Sequence, residues 1–368
     1  MKLRIEKQNL ISGVSIVSKA IPSRTTMSIL QCILIDASSS DIRLIANDTE
    51  LGIETIAEGI IEEHGIIAVN ADIFSNIVRK LPDGEIEIST EGYEKVMIRS
   101  GKAKFNILGR DGSDFTYLPD ISREYGISIS QFTLRDIINK TIFSISSSDS
   151  NKMMNGELFE IDGNTLRVIA LDGHRIAIRR VELKETYENR KVIIPGKTLS
   201  DISKIIGGDM EKNVSVYFTD KHACFEFDST VVVSRLIEGE YFKVDQMLSN
   251  DFETHVRISR QELLSCLDRA TLLVKEEDKK PIIMMIRGTS IELKINTTLG
   301  SMDEEIMIDK DGDDMNIGFN PKFLIEALRS IDEDDIDIYL LSSRAPAFIR
   351  DDYSYCYLVL PVNFITID

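Results

Sequence analysis

One arrangement of apolar residues occurs three times along this chain, and a tandem repeat restricts the fold more than composition does. Three segments open alike: Leu3-Arg4-Ile5-Glu6-Lys7-Gln8-Asn9-Leu10, Ile127-Ser128-Ile129-Ser130-Gln131-Phe132-Thr133-Leu134 and Val256-Arg257-Ile258-Ser259-Arg260-Gln261-Glu262-Leu263. Each alternates apolar and polar residues, then places a leucine five residues beyond the second apolar one. From that leucine the stripe continues at helical spacing, as Leu10/Val14/Val17, Leu134/Ile138/Thr141 and Leu263/Leu267/Ala270. The period changes from 2 to about 3.6, so each segment is expected to be a strand running into a helix.

A second unit recurs at constant spacing. Val69-Asn70-Ala71-Asp72, Ile194-Pro195-Gly196-Lys197 and Phe319-Asn320-Pro321-Lys322 begin 125 residues apart, at 69, 194 and 319. Each leads into a helical stripe: Phe74/Ile77/Leu81, Leu199/Ile202/Ile206 and Leu324/Ala327/Ile331. Pro195 and Pro321 suit helix starts, where a missing N–H costs nothing. Between the helices stand the β-rich runs Cys32-Ile33-Leu34-Ile35, Glu157-Leu158-Phe159-Glu160-Ile161 and Ile282-Ile283-Met284-Met285-Ile286, divided by turn sequences such as Asp162-Gly163-Asn164. Leu44-Ile45-Ala46-Asn47-Asp48 is echoed 124 residues later by Val168-Ile169-Ala170-Leu171-Asp172. Each repeat is expected to carry two helices and about eight strands. A length of 368 residues exceeds one ordinary core. The repeat predicts three α+β domains, near 1–126, 127–253 and 254–368. Helices covered by a sheet on one side leave their other face as a working surface.

The formal net charge of −18 argues, as an average, against contact with phosphates. The average conceals a local excess of opposite sign. In each helical window basic residues outnumber acidic ones: Lys7 and Lys19; Arg79 and Lys80 against Asp72; Arg135 and Lys140 against Asp136; Lys197 and Lys204 against Asp201. The third repeat continues this with Arg260, Arg269 and Lys275 against Glu262 and Asp268, and Lys322 and Arg329 against Glu326. Such helices suit a phosphate-facing surface, although ordinary solvated faces have similar counts. No recognition-helix pattern accompanies them, so any nucleic-acid contact is expected at the backbone and without sequence preference.

Hydrophobic residues at 43% and charged residues at 28% fit a globular chain rather than a disordered one. No apolar run approaches the roughly 18 residues that cross a bilayer. The start, Met1-Lys2-Leu3-Arg4-Ile5-Glu6, has no long apolar stretch, so a cytoplasmic location is expected, without membrane association. Cys32, Cys224, Cys266 and Cys356 are as scattered as His64, His174, His222 and His255, which points to buried reduced thiols and not to disulfides or zinc. Asp172-Gly173-His174-Arg175 sets an acid beside a base, but no nucleophile elbow, phosphate loop or metal-ligand spacing goes with it. Asp309-Lys310-Asp311-Gly312-Asp313 has the look of a calcium loop, yet Asn320 stands where the twelfth-position glutamate belongs. A solvated acidic turn is expected there. No catalytic residue, cofactor or metal is expected, and a repeat scaffold that binds proteins without DNA is the rival reading.

The three repeats, the segment Leu171-Asp172-Gly173-His174-Arg175-Ile176-Ala177 and the ending Tyr357-Leu358-Val359-Leu360-Pro361-Val362 closely resemble the bacterial DNA polymerase III beta subunit, the sliding clamp. The likeness covers the whole chain. Asp-Gly-His-Arg alone is a weak signal; its place in the second repeat, joined to the Leu-Pro-Val ending, makes it specific. The resemblance implies the DNA clamp fold, with helices lining the inside of a ring and antiparallel sheets outside. It also implies a non-catalytic homodimer, the processivity factor of the replicative polymerase. Such a ring encircles double-stranded DNA without regard to sequence and tethers replicative and repair polymerases and the clamp loader. Roughly twelve helices about 10 Å apart would leave a bore of about 28 Å, so a duplex passes loosely and topology retains it.

The resemblance also assigns residues. Arg24 matches a DNA-contacting arginine, Lys197 a basic position after the Ile-Pro of the second repeat, and Asn320 a DNA-side asparagine. Phe323 stands at a tyrosine position and keeps the ring without the hydroxyl. Arg79, Lys80, Lys140 and Lys204 join them as helix cations expected to face DNA. A partner-peptide cleft is implied at Met154, Leu171, Gly173, His174, Arg175, Ile176, Phe242, Gln246, Met247, Leu358, Leu360, Pro361 and Val362. Methionine and aliphatic side chains form an adaptable apolar pocket; Gly173 would let backbone approach, and Arg175 is expected to anchor polar groups. Two departures stand out. Gly239-Glu240-Tyr241-Phe242-Lys243-Val244-Asp245 lacks the family's usual proline, which predicts an altered pocket wall. The tail continues as Ile365-Thr366-Ile367-Asp368, a segment expected to shade the cleft in part. For the subunit interface, Phe105 is expected to face Leu272 and Leu273, with Lys102 and Lys104 against the acidic Asp303, Glu304 and Glu305.

Overall fold

The computed structural model describes residues 1–92, 94–148, 151–274, 280–351 and 353–364. The first repeat begins β1 (Lys2–Glu6), α1 (Lys7–Val17), β2 (Cys32–Ala37), β3 (Ile42–Asn47) and β4 (Leu51–Ala57). It continues β5 (Gly59–Glu63), β6 (Gly65–Asn70), α2 (Ala71–Lys80), β7 (Glu85–Glu91), β8 (Lys95–Ser100) and β9 (Ala103–Asp111). The second holds β10 (Gly126–Ser130), α3 (Gln131–Thr141), β11 (Gly156–Leu171), β12 (Arg175–Pro195), α4 (Gly196–Ile205), β13 (Asn213–Phe218), β14 (His222–Phe227) and β15 (Thr230–Arg235). The third begins β16 (Thr254–Ser259), α5 (Arg260–Thr271), β17 (Ile282–Arg287), β18 (Ser290–Thr297) and β19 (Gly300–Met307). It ends β20 (Asp309–Gly312), β21 (Met315–Phe319), α6 (Pro321–Ser330), β22 (Asp335–Leu340), β23 (Ala347–Arg350) and β24 (Tyr355–Val359).

All three change-of-period segments are strands that pass directly into helices. The stripes bury as their spacing requires: Leu10, Val14 and Val17; Leu134, Ile138 and Thr141; Leu263, Leu267 and Ala270 are each at most 3% exposed. Local capping fixes where helices begin. Asn70 Oδ1 accepts from the Ile73 amide and Asn320 Oδ1 from the Lys322 amide, with Pro321 in the first turn of α6.

Two local expectations are corrected. Asp162-Gly163-Asn164 is not a turn: β11 runs through it, with register shifts between Ile161 and Thr165 and a φ of +59° at Gly163. The partner strand β12 continues past this point, so the glycine serves as a bulge inside a long hairpin. Among the described residues the second repeat consequently has six strands where the first and third have nine each, β11 and β12 standing in for several shorter strands. Asp309–Gly312 is likewise a strand, not a turn, because it pairs with Thr254–Arg257 of β16. Its side chains remain mostly exposed, and Lys310 Nζ reaches Asp314 at 2.6 Å.

The chain forms two compact units whose limits do not follow the repeats: residues 1–134 with 201–236, and residues 135–200 with 237–368. The first unit carries one antiparallel sheet in the order β10-β13-β14-β15-β4-β3-β2-β6-β9-β8-β7-β1-β5. Its two repeats meet where β15 pairs with β4, and the buried hydroxyls of Thr55 and Thr230 lie 2.8 Å apart there. The second unit carries a seven-stranded sheet, β11-β12-β24-β23-β22-β16-β20, and a four-stranded sheet, β19-β18-β17-β21. Alternation along its strands separates two faces. Ile338, Ile349, Tyr357 and Val359 join Leu263, Leu267, Leu324 and Leu328 of α5 and α6 in the main core. Phe348, Cys356 and Leu358 point the other way and gather with Ile169, Leu171, Ile176 and Ile178. The four cysteines are buried free thiols, and burial pushes Cys224 and Cys266 up to about 12. No helix among the described residues is long and apolar enough to cross a membrane.

Candidate functional site

The turn between β11 and β12 organises the second unit's site. Gly173 adopts a φ of +88°, and a Cβ there would meet nothing within 4 Å, so the turn needs glycine for its backbone and not for space. Asp172 Oδ1 accepts from the amides of His174 at 2.9 Å and Arg175 at 3.2 Å, which fixes the turn. Arg175 is only 6% exposed. Its Nε donates to Asp172 Oδ2 at 2.9 Å, Nη1 to Glu326 of α6 at 2.5 Å, and Nη2 to the Phe143 carbonyl at 2.5 Å. The guanidinium lies over the Phe323 ring, 4.4 Å from its centroid. Burial opposes its charge, but Tyr357, Glu326 and Asp172 outweigh that and raise its pKa. Every nitrogen of Arg175 is thus engaged inside the chain. Arg175 clamps α6 to the turn between β11 and β12.

Around that clamp the apolar cleft residues assemble. Leu171, Ile176 and Leu358, each at most 5% exposed, belong to one buried apolar cluster with Tyr241, Val244 and Phe348. Met154 and Phe242 pack against it half-buried. Phe242 meets Tyr241 edge-on, with ring centroids 5.8 Å apart. Leu360 is 39% and Met247 51% exposed, the latter on a short turn shared with Gln246. The Leu360 amide donates to the His174 carbonyl at 2.8 Å, joining the end of β24 to the turn. Past Pro361, the Val362 amide bonds the Gly318 carbonyl. His174 is exposed and stacks on Phe323 at 6.1 Å. The structure therefore groups Phe323 with the cleft residues His174 and Arg175. Residues 365–368, expected to shade the cleft, lie outside the described residues.

The expected DNA-side residues differ in availability. Arg79 and Lys80 are exposed in the last turn of α2, and Arg24 is exposed in the segment after α1. Lys197 and Lys204 are exposed on α4, the latter 3.9 Å from Asp201. Lys140 departs from expectation: its side chain is 12% exposed and held by Asp332 at 2.9 Å and Asp136 at 3.2 Å. Its charge is thus shared with two carboxylates in this structure. Asn320 spends its side-chain oxygen on capping α6. Lys275 lies outside the described residues.

Two strand edges complete the picture. Residues 103–108 of β9 pair with β8 on one side only, since β6 bonds just Gly109–Asp111. Along this edge Phe105 is 39% and Leu108 84% exposed, with Lys102 and Lys104 exposed nearby. In the second unit β19 is an edge strand, paired among the described residues only with β18. Leu272 beside it is 79% exposed, whereas Leu273 is half-buried against the core. Glu304 is already taken: Arg269 Nε and Nη2 grip its carboxylate, and that hydrogen bonding holds its pKa below the ordinary range.

Tandem α+β repeats, with strands of the second repeat shared between sheets of the first and third, define the three-domain DNA clamp fold. The chain matches the DNA polymerase III beta subunit family in its N-terminal domain over residues 1–119, its central domain over 128–243 and its C-terminal domain over 245–363. Curated relatives include the beta sliding clamp of Bacillus subtilis, 33% identical over 99% of this chain and 100% of the relative, and that of Staphylococcus epidermidis, 32% identical over 99% of each. Among solved structures, a putative DNA polymerase III beta subunit from Eubacterium rectale is 60% identical over 99% of each chain with a TM-score of 0.94. The Bacillus subtilis sliding clamp is 31% identical over 99% of this chain and 100% of that one, also at 0.94. The chain belongs to the DNA polymerase III beta subunit family, and its function is that of a DNA sliding clamp.

Proposed function

We propose that two copies of the chain join edge to edge, β9 of one beside β19 of the other, and close a ring around duplex DNA. The open strand edges carry this reading. An exposed apolar edge is normally blunted or used for pairing, and these two have opposite charge, Lys102 and Lys104 against the acidic β19. Because Glu304 stays with Arg269, the charge match falls first on Glu305, which is exposed and has no ion pair among the described residues. Each copy would contribute domains near 1–126, 127–253 and 254–368. Arg24, Arg79, Lys80, Lys197 and Lys204 would meet the phosphate backbone without reading sequence. The floor of Leu171, Ile176 and Leu358 would receive a short apolar peptide from polymerases and the clamp loader. The ring itself is non-catalytic, works in the cytoplasm and confers processivity by tethering.

Sedimentation equilibrium tests the pairing. A mass near twice 41.5 kDa is expected for the wild type, and 41.5 kDa for Leu108→Asp, which places a carboxylate on the β9 edge at a site too exposed to disturb the fold. A wild-type monomer at micromolar concentration, or an intact dimer in Leu108→Asp, would exclude this edge as the joint.

A further inference from the structure

We infer that a second pocket, adjoining the cleft, receives an acidic flank of the partner peptide; this rests on the cleft reading above. The pocket has a volume of about 390 Å³, enough for one or two side chains. Leu248 and Phe252, from the segment that follows the cleft's short turn, form one wall, and Tyr339 of β22 another. Leu248 and Tyr339 also pack against the buried apolar cluster of Leu171, Ile176 and Leu358, and Cys356 belongs both to that cluster and to the pocket lining, so the pocket abuts the proposed cleft.

The charge of its lining is what distinguishes this pocket. Arg180 and Arg350 both line it, half-buried, and neither has a carboxylate partner among the described residues. Arg350 lies over Tyr339, 4.7 Å from the centroid, and donates from Nη1 to the Ser249 carbonyl at 2.9 Å and Asn250 Oδ1 at 3.0 Å. Arg180 donates from Nη1 to the Tyr353 carbonyl at 3.3 Å. Neighbouring arginines of the same unit are paired: Arg167 with Glu160 and Asp245, and Arg175 with Asp172 and Glu326. Among the described residues the one carboxylate lining the pocket, Asp351, is spent on the Ser354 hydroxyl and the amides of Tyr353 and Tyr355. In a chain with a net charge of −18, two half-buried guanidiniums that form no ion pair among the described residues suit an anion supplied by a ligand. Planar donors beside aromatic walls suit an aspartate or glutamate next to an apolar residue.

Calorimetric titration of the full chain with three synthetic peptides tests this. The first is a capped leucine–phenylalanine core, the second that core with three aspartates added at either end, and the third with three asparagines instead. The aspartate form, at one end, is expected to bind about tenfold tighter than the asparagine form at low salt. That gain should fall by half or more in Arg180→Gln, whose side chain holds only one carbonyl, while core affinity stays within about twofold. Equal binding of the aspartate and asparagine forms, or an undiminished gain in Arg180→Gln, overturns the pocket and leaves the cleft standing. A core peptide that fails to bind the wild type removes the cleft reading, and the flank site with it.

Discussion

Replacing Arg175 by lysine keeps the charge and removes the geometry. The guanidinium satisfies three separate groups at once: the Asp172 carboxylate, the Glu326 carboxylate and the Phe143 carbonyl. A lysine ammonium on the same backbone can reach one of them. Two charge-assisted bonds are lost, each contributing about 1.5–3 kcal/mol, along with stacking on Phe323. Water can reach Glu326, whose side chain is 28% exposed, more readily than Asp172 at 13%, so part of the loss is recovered. A net destabilisation of about 3 kcal/mol is expected, equivalent to over a hundredfold in the local opening constant. Amide hydrogen exchange reads it directly: α6 and the β11–β12 turn should lose protection by about that factor. The control is Arg123→Lys, since Arg123 is 50% exposed in its pairs with Glu226 and Asp120, and should cost under about 1 kcal/mol. Wild-type protection of α6 in Arg175→Lys would refute the clamp.

Three further outcomes follow from the same structure. Glu157 is fully buried, and among the described residues its side chain meets only the Thr141 hydroxyl, 3.1 Å from both carboxylate oxygens; that hydroxyl also lies 2.8 Å from the Ile137 carbonyl. Burial raises the Glu157 pKa well above the usual carboxylate range, and the hydrogen bond from the Thr141 hydroxyl offsets that only in part. Unfolded glutamate ionises near about 4.3, so stability should fall about 1.4 kcal/mol per pH unit above that value until native Glu157 ionises. Glu157→Gln should lose this slope in urea melts between pH 5 and pH 7; parallel profiles for the two proteins would show a charged Glu157. Arg79→Ala with Lys80→Ala should weaken DNA binding equally across sequences and lower the salt slope by up to about 2, and an unchanged slope would place α2 away from DNA. His174→Ala and Leu360→Ala should each raise the Kd for an apolar peptide roughly tenfold with melting temperature nearly unchanged, whereas wild-type affinity in both would move the cleft elsewhere.

Helix positions were legible because their signal is local: Leu134, Ile138 and Thr141 repeat at a spacing only a buried helical stripe explains. Strand joints were less so. Gly163 reads as a turn residue in isolation, and only the length of the facing β12 makes it a bulge. The bond from Arg175 to Glu326 spans 151 residues and has no spacing rule to betray it. The same holds for Lys140, exposed by its helical pattern yet held by Asp332 from a loop nearly two hundred residues away. Phe323 was placed by resemblance on the DNA side; what draws it to His174 and Arg175 is an aromatic–cation contact that forms only once α6 is docked. The two compact units were hidden for a related reason. Repeats are written in sequence order, but hydrogen bonding between β15 and β4, and between β12 and β24, joins parts of different repeats.

The central claim is that DNA is held by enclosure and not by affinity. The most direct test compares residence of the loaded protein on a closed circular duplex and on the same duplex cut once by a restriction enzyme, both in high salt. Enclosure predicts a long residence on the circle and rapid loss from the ends after cutting, since screened phosphate contacts alone cannot hold the chain. Equal residence on circle and line would mean that the protein grips DNA from outside, and the ring would have to be abandoned.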